Sequence, residues 1–169
     1  TGFACALVAI GIGGLLVGHE VMYGGGNEVE LLPPIDVPSQ ERDRMVRWIQ
    51  ARVSPEHIGR FVSTDHVIGR AREKRAFAKK TQAVGLDMES AALAAEANRT
   101  RTPFIIIRTV SDLLDEDLPL DFNLFLRPTG WLKGIGSILA APSCLLGLGR
   151  LRRQSVIAAE ALTDFFRQY

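Results

Sequence analysis

The chain has 169 residues, with Lys+Arg 20 against Asp+Glu 19 and a formal net charge of +1. Hydrophobic residues make up 47% and charged residues 23%, ordinary usage for one globular domain, which excludes a disordered, collagen-like or disulfide-stapled chain. The balanced charge argues against a general grip on nucleic acid, and Cys5 and Cys144, far apart and without a CxxC pair, give no support for a metal site or a disulfide framework.

Residues 1–18 carry no charged side chain, but Gly2, Gly11, Gly13, Gly14 and Gly18 weaken a helix. A buried strand and a Gly-rich loop are therefore expected there, rather than a membrane span or a signal. No initiator methionine precedes this apolar run, so the sequence reads as starting inside a domain. Leu15 to Tyr23 reads as a strand ending at Gly24-Gly25-Gly26, and Asn27 to Pro38 as a polar, Pro-rich surface loop. Ser39 can cap a helix to about Val53, with Met45, Ile49 and Val53 on one face. Gly59 to Thr64 is a short strand. Ala71 to Thr81 is a helix whose Arg72, Lys74, Arg75, Lys79 and Lys80 read as a solvated face.

Ala83 to Met88 is an apolar strand and Glu89 to Asn98 an Ala-rich helix. Phe104 to Val110, opened by Pro103, has the β-branched and aromatic composition of a strand buried on both faces, and an acidic loop, Ser111 to Asp121, follows it. Trp131 to Gly149 holds one charge and reads as a buried helical hairpin or as an apolar flap with Arg150, Arg152 and Arg153 at a membrane surface. Leu151 to Tyr169 places Leu151, Ala158, Leu162, Phe165 and Tyr169 on one helical stripe. The alternation predicts an α/β fold: a single three-layer α/β/α domain over 1–169, its central sheet mixed and mostly parallel, with 126–169 as a helical C-terminal extension.

Ligands in such folds bind beyond the carboxyl ends of strands, and two of these ends carry acids. One is Leu86-Asp87-Met88-Glu89-Ser90 and the other Arg108-Thr109-Val110-Ser111-Asp112. A polar binding site and simple helix capping by Asp87 or Ser111 both fit this spacing.

The stretch 83–92, Ala-Val-Gly-Leu-Asp-Met-Glu-Ser-Ala-Ala, followed by 103–112, Pro-Phe-Ile-Ile-Ile-Arg-Thr-Val-Ser-Asp, resembles the paired signature of the nucleoside phosphorylase and nucleosidase superfamily. Weaker matches surround it: Gly2-Phe3-Ala4-Cys5-Ala6-Leu7 is similar to the Gly-rich loop of the acceptor site, and Val17-Gly18-His19-Glu20-Val21 and Phe61 to Asp65 follow in the family's order. The Asp-Met-Glu-Ser wording and the apolar tail resemble the hopanoid-associated branch, linked to adenosylhopane.

The resemblance implies an enzyme that cleaves the N-glycosidic bond of a purine, here adenine, nucleoside. It implies that Glu89 binds the ribose hydroxyls, that Met88 packs beneath the sugar, and that Val67 and Ile68 face the base. Asp112, oriented by Ser111, would give a proton to purine N7. Protonating the leaving base offsets the charge that builds as the bond breaks. An isolated Asp ionises near pH 3.9, so keeping it protonated at neutral pH needs a shift of about 3 units, about 4 kcal/mol, from its surroundings. Desolvation beside Ile107 and Val110 is expected to supply part of it.

In the acceptor-site loop, formed by Gly2, Phe3 and Ala4, Phe3 stands where phosphorylases place a hydroxyl for phosphate, which favours water as acceptor. A phosphorylase using phosphate as co-substrate is the alternative, and a non-catalytic nucleoside-binding or assembly subunit the rival. His19, in place of the family's Asp, reads as structural. The resemblance also places the family's first strands, with the group that activates water or holds phosphate, ahead of this sequence. The remaining expectations are no cofactor, a small-molecule partner without nucleic acid, self-association, peripheral membrane contact through 131–153, and a cytoplasmic location.

Overall fold

The computed structural model describes residues 1–25, 28–34, 37–124 and 143–169. Among the described residues there are six strands: β1 (Gly2–Ala6), β2 (Leu15–Gly25), β3 (Glu28–Leu31), β4 (Ile58–Thr64), β5 (Gly85–Asp87) and β6 (Ile106–Asp112). The helices are α1 (Gln40–Gln50), α2 (Ala71–Thr81), α3 (Ser90–Thr100) and α4 (Ser143–Arg167).

The strands form one mixed sheet in the order β3-β2-β4-β5-β1-β6. Pairs β1–β6, β2–β4 and β4–β5 run parallel, whereas β1–β5, β2–β3 and β2–β6 run antiparallel. Because Leu15 to Gly18 of β2 also pair with Ile106 to Thr109 of β6, five of the strands close on themselves. The fully buried Phe61 ring fills the centre. Room for it comes from Gly85, where a Cβ would stand 2.6 Å from the ring, and from Gly18, where it would stand 2.7 Å away.

Side-chain alternation sorts the helices onto two faces. Ala91 and Ala94 of α3 pack with Ala4, Leu16, Phe61, Ile106 and Val110. The opposite face takes Phe77 and Ala78 of α2 against Cys5, Val62 and Leu86, and Ile49 of α1 with Phe165 of α4 against Val17 and Ile107. Helix α1 starts as its sequence suggests, with Ser39 Oγ accepting from Arg42 N at 3.2 Å. Trp48 ties α1 to α4 through edge contacts with Phe165 and Tyr169, at centroid distances of 4.7 and 5.3 Å.

Three expectations need correction. The 27–38 loop contains β3, a mostly exposed edge strand held by pairing with β2 and by Val29, which packs against the core beside Val62. Gly2, Phe3 and Ala4 are not a loop but the body of β1, and the glycine-rich turn comes later, at 11–14. Ser111 caps no helix, because β6 runs through Ser111 and Asp112. The hairpin or flap expected over 131–149 falls, up to residue 142, outside the described residues. Among the described residues no helix is long and apolar enough to cross a membrane.

Candidate active site

Strands β1 and β6 run side by side with Gly2 opposite Arg108, Phe3 opposite Thr109 and Ala4 opposite Val110. The register then shifts, and Cys5 faces Asp112 instead of Ser111. This bulge turns the Asp112 side chain to the face that carries α2. There the Lys74 ammonium, fully buried, lies 2.8 Å from Asp112 Oδ1 and 2.7 Å from Oδ2. Lys74 also donates to the carbonyls of Leu113 at 2.9 Å and Glu116 at 2.7 Å. Burial raises the Asp112 carboxyl above its ordinary range, and the Lys74 hydrogen bond and charge oppose that rise without cancelling it. The environment of Asp112 thus adds a buried cation to the desolvation expected beside Ile107 and Val110. Lys74, expected on a solvated face, is instead wholly enclosed.

At the end of β5 the second acid cluster divides into two roles. Asp87 is turned inward and takes hydrogen bonds from Ser63 Oγ at 2.5 Å, Ser90 N at 3.0 Å, Glu89 N at 3.3 Å and Ser90 Oγ. Arg108 Nη2 adds an ion pair at 2.8 Å. Asp87 therefore caps α3, the architectural role its spacing allowed. Glu89 is turned outward, its side chain 61% exposed, with Arg108 Nη2 3.3 Å from Oε2. Gly2 makes room for this arginine, since a Cβ there would strike the guanidinium.

Asp112 and Glu89 open onto one cavity of about 310 Å³, which Leu86 and Asp87 also border. Phe3, Ala4 and Cys5 of β1 form one wall, Met88 and Glu89 a second, Ser111 and Asp112 a third, and Val67 and Ile68 a fourth. Every site residue expected from the sequence lies on this cavity except Gly2, which sits behind it against Arg108. His19 is exposed on β2 and lies by a separate pocket beside Leu31 to Pro34. Neighbouring Cys5 is buried, and burial pushes its thiol far up, so it stays a neutral wall group. Among the described residues no group of three or more His, Cys, Asp or Glu could hold a metal ion.

The sequence reading missed Leu118, Phe122, Leu151 and Ser155, which complete the lining, and Asn123, which clamps the Val67 backbone. Asn123 Oδ1 accepts from Val67 N at 2.7 Å, and its Nδ2 donates to Val67 O at 2.8 Å. Lys74 had a legible signal: Ala71, Lys74, Ala78 and Thr81 share one stripe of α2, so the lysine interrupts an otherwise small and inward-facing row.

The profile of the Phosphorylase superfamily matches residues 8–127. The chain belongs to that superfamily. A 5′-methylthioadenosine/S-adenosylhomocysteine nucleosidase of Staphylococcus aureus (strain JH9) is 27% identical over 139 residues, covering 75% of this chain and 61% of that relative. The chain thus spans about three fifths of the length of this curated superfamily relative. The fold is shared with the Helicobacter pylori 5′-methylthioadenosine/S-adenosyl homocysteine nucleosidase, at a TM-score of 0.58 and 14% identity over 100% of this chain and 67% of that one. It is shared equally with the futalosine hydrolase of Helicobacter pylori strain 26695, at 0.56 and 13% identity over 100% of this chain and 66% of the other.

Proposed function

We propose that this superfamily member carries the nucleoside site of a hydrolase that releases adenine from a purine nucleoside. The observation that carries the reading is the single cavity in which an outward-turned Glu89 and a buried Asp112 line different walls. In this reading Glu89 accepts hydrogen bonds from the ribose hydroxyls, steadied by Arg108, and Met88 packs under the sugar. Val67 and Ile68 lie against the base, held in place by Asn123. Asp112 gives its proton to N7 as the C1′–N9 bond breaks and its electron pair passes to the base. The water oxygen bonds to C1′, and the proton that water loses restores, in net, the one Asp112 gave up.

Phe3, 42% exposed on the cavity wall, supports water as the acceptor, because an aromatic ring has no donor for a phosphate oxygen. The relatives support the adenine nucleoside class through 5′-methylthioadenosine and S-adenosylhomocysteine. They are named for those compounds and for futalosine, not for a lipid-linked nucleoside.

The test is free adenine released from adenosine and from 5′-methylthioadenosine, with and without phosphate. Release independent of phosphate and reduced about 10²- to 10⁴-fold by Asp112→Asn is expected. Release only with phosphate would replace hydrolysis by phosphorolysis. Binding without release would make this a nucleoside-binding subunit.

A further inference from the structure

A lysine in the middle of a helix ordinarily extends its stem and keeps its ammonium in water. Lys74 does the reverse. It is 0% exposed, sits on the inward stripe of α2, and spends its donors on the Asp112 carboxylate and on two carbonyls of the segment after β6. Its nitrogen is nearly equidistant from the two carboxylate oxygens, 2.8 and 2.7 Å, so it holds the plane of the group and not merely one corner. The bulge brings Asp112 to this face, and the carboxylate then lies between the ammonium behind it and the cavity in front.

We infer that Lys74 is the positioning residue of the site: anchored to the Leu113 and Glu116 carbonyls, its ammonium fixes the direction in which Asp112 presents its carboxyl group to the cavity. The chemical consequence rests on the nucleosidase reading, whereas the pair itself can be measured without turnover. Lys74 also sets when Asp112 takes up a proton. The charged and titratable groups facing Asp112 are Lys74 from α2, Cys5 from β1 and Glu116 from the following segment. Glu116 in turn takes Gln154 of α4 at 3.0 Å and Arg150 at 4.0 Å, so its own charge is partly answered from that helix. Of these groups Lys74 is the cation in direct contact with the acid.

The experiment is a titration of the full chain labelled at aspartate carboxyl carbons, with the Asp112 signal assigned by its loss in Asp112→Asn. Removing an opposite charge at this range is expected to move the Asp112 midpoint upward by about 1 to 3 pH units in Lys74→Met. Lys74→Gln keeps a donor for the two carbonyls but no charge, and is expected to move it similarly. A folded Gln variant that titrates like the unmutated chain overturns the inference. If neither variant folds, the unmutated chain decides: Lys74 ammonium protons protected from exchange and coupled to the Asp112 carboxyl carbon are expected, and a freely exchanging ammonium overturns it. With adenosine as probe, Lys74→Gln is expected to lower kcat about 10-fold or more with KM within about 3-fold, and to shift the pH profile with the titration. An unmutated chain that releases no adenine defeats the nucleosidase reading and leaves the titration to judge Lys74.

Discussion

Among the described residues two buried carboxylate–cation pairs stand at the ends of β5 and β6, on either side of β1, and they are built differently. Asp87 faces Arg108, and it also receives donors from Ser63, Glu89 and Ser90, so its oxygens are fully engaged within the protein. Asp112 faces Lys74, has the Cys5 thiol beside it, and keeps 14% of its side chain open on the cavity. A carboxylate saturated by internal donors has no bonding capacity left for a ligand and serves the architecture. One held from behind by a single cation keeps a lone pair, or a proton, to offer. The difference separates an acid given over to the architecture from one that is free to serve the proposed site.

The sharpest way to break this comparison is at the saturated end. Arg108→Met leaves Asp87, whose side chain is 1% exposed, buried without its counter-charge. A loss of about 3–5 kcal/mol in unfolding free energy is expected from urea denaturation, since removing one partner strands the other. A loss of a few tenths would show that Ser63 and Ser90 satisfy Asp87 alone, and the two ends would then differ less than their geometry suggests.

The open end should show itself through pH. Burial keeps the Asp112 carboxyl above its ordinary value of 3.8 even against Lys74, so the folded chain binds that proton more tightly than the unfolded one. Its contribution to stability is therefore complete below the unfolded value and is lost as the pH rises through the raised one. The stability of the wild type relative to Asp112→Asn is expected to fall as the pH rises above about 4, the ordinary carboxylate value. A difference that stays flat over that range would mean Lys74 neutralises the burial altogether. The smallest effect is expected from Asn123→Ala, which frees the Val67 backbone on the far side of the cavity. Stability should drop by about 1 kcal/mol for the lost pair of hydrogen bonds. Adenine affinity, read by calorimetry, should weaken more than the fold does, and a variant that loses stability but binds normally would remove Val67 from the base site.

Much of this was legible in the sequence because the strands that matter are apolar and α1 carries an ordinary serine cap. Phe61 and Val62 of β4 and Ile106 to Val110 of β6 announce themselves, and Ser39 marks the start of α1. The edge strand β3 was not legible, since its Glu28 and Glu30 are exposed and its extended form is imposed by the partner strand. The acid clusters came from short motifs at strand ends and the other candidate site residues from the family resemblance, yet the partners that tune them came from neither. Lys74 lies 38 positions from Asp112, and only the folding of α2 over the sheet brings the two together. The pairing of β6 with both β1 and β2 is likewise a property of the assembled sheet and leaves no local trace.

The bulge between β1 and β6 has one more consequence. A strand deals its side chains alternately to two sides, like odd and even numbers, and Arg108 and Val110 are dealt to the side of α3 while Asp112, also even, goes to the side of α2. The change of parity costs one residue, Ser111. It is what lets a single strand send a cation to one half of the molecule and an acid to the other. Without Ser111, Asp112 would follow Val110 directly and pair with Cys5 in unbroken register, so the bulge adds a residue to the cavity wall while keeping the acid on the side of α2.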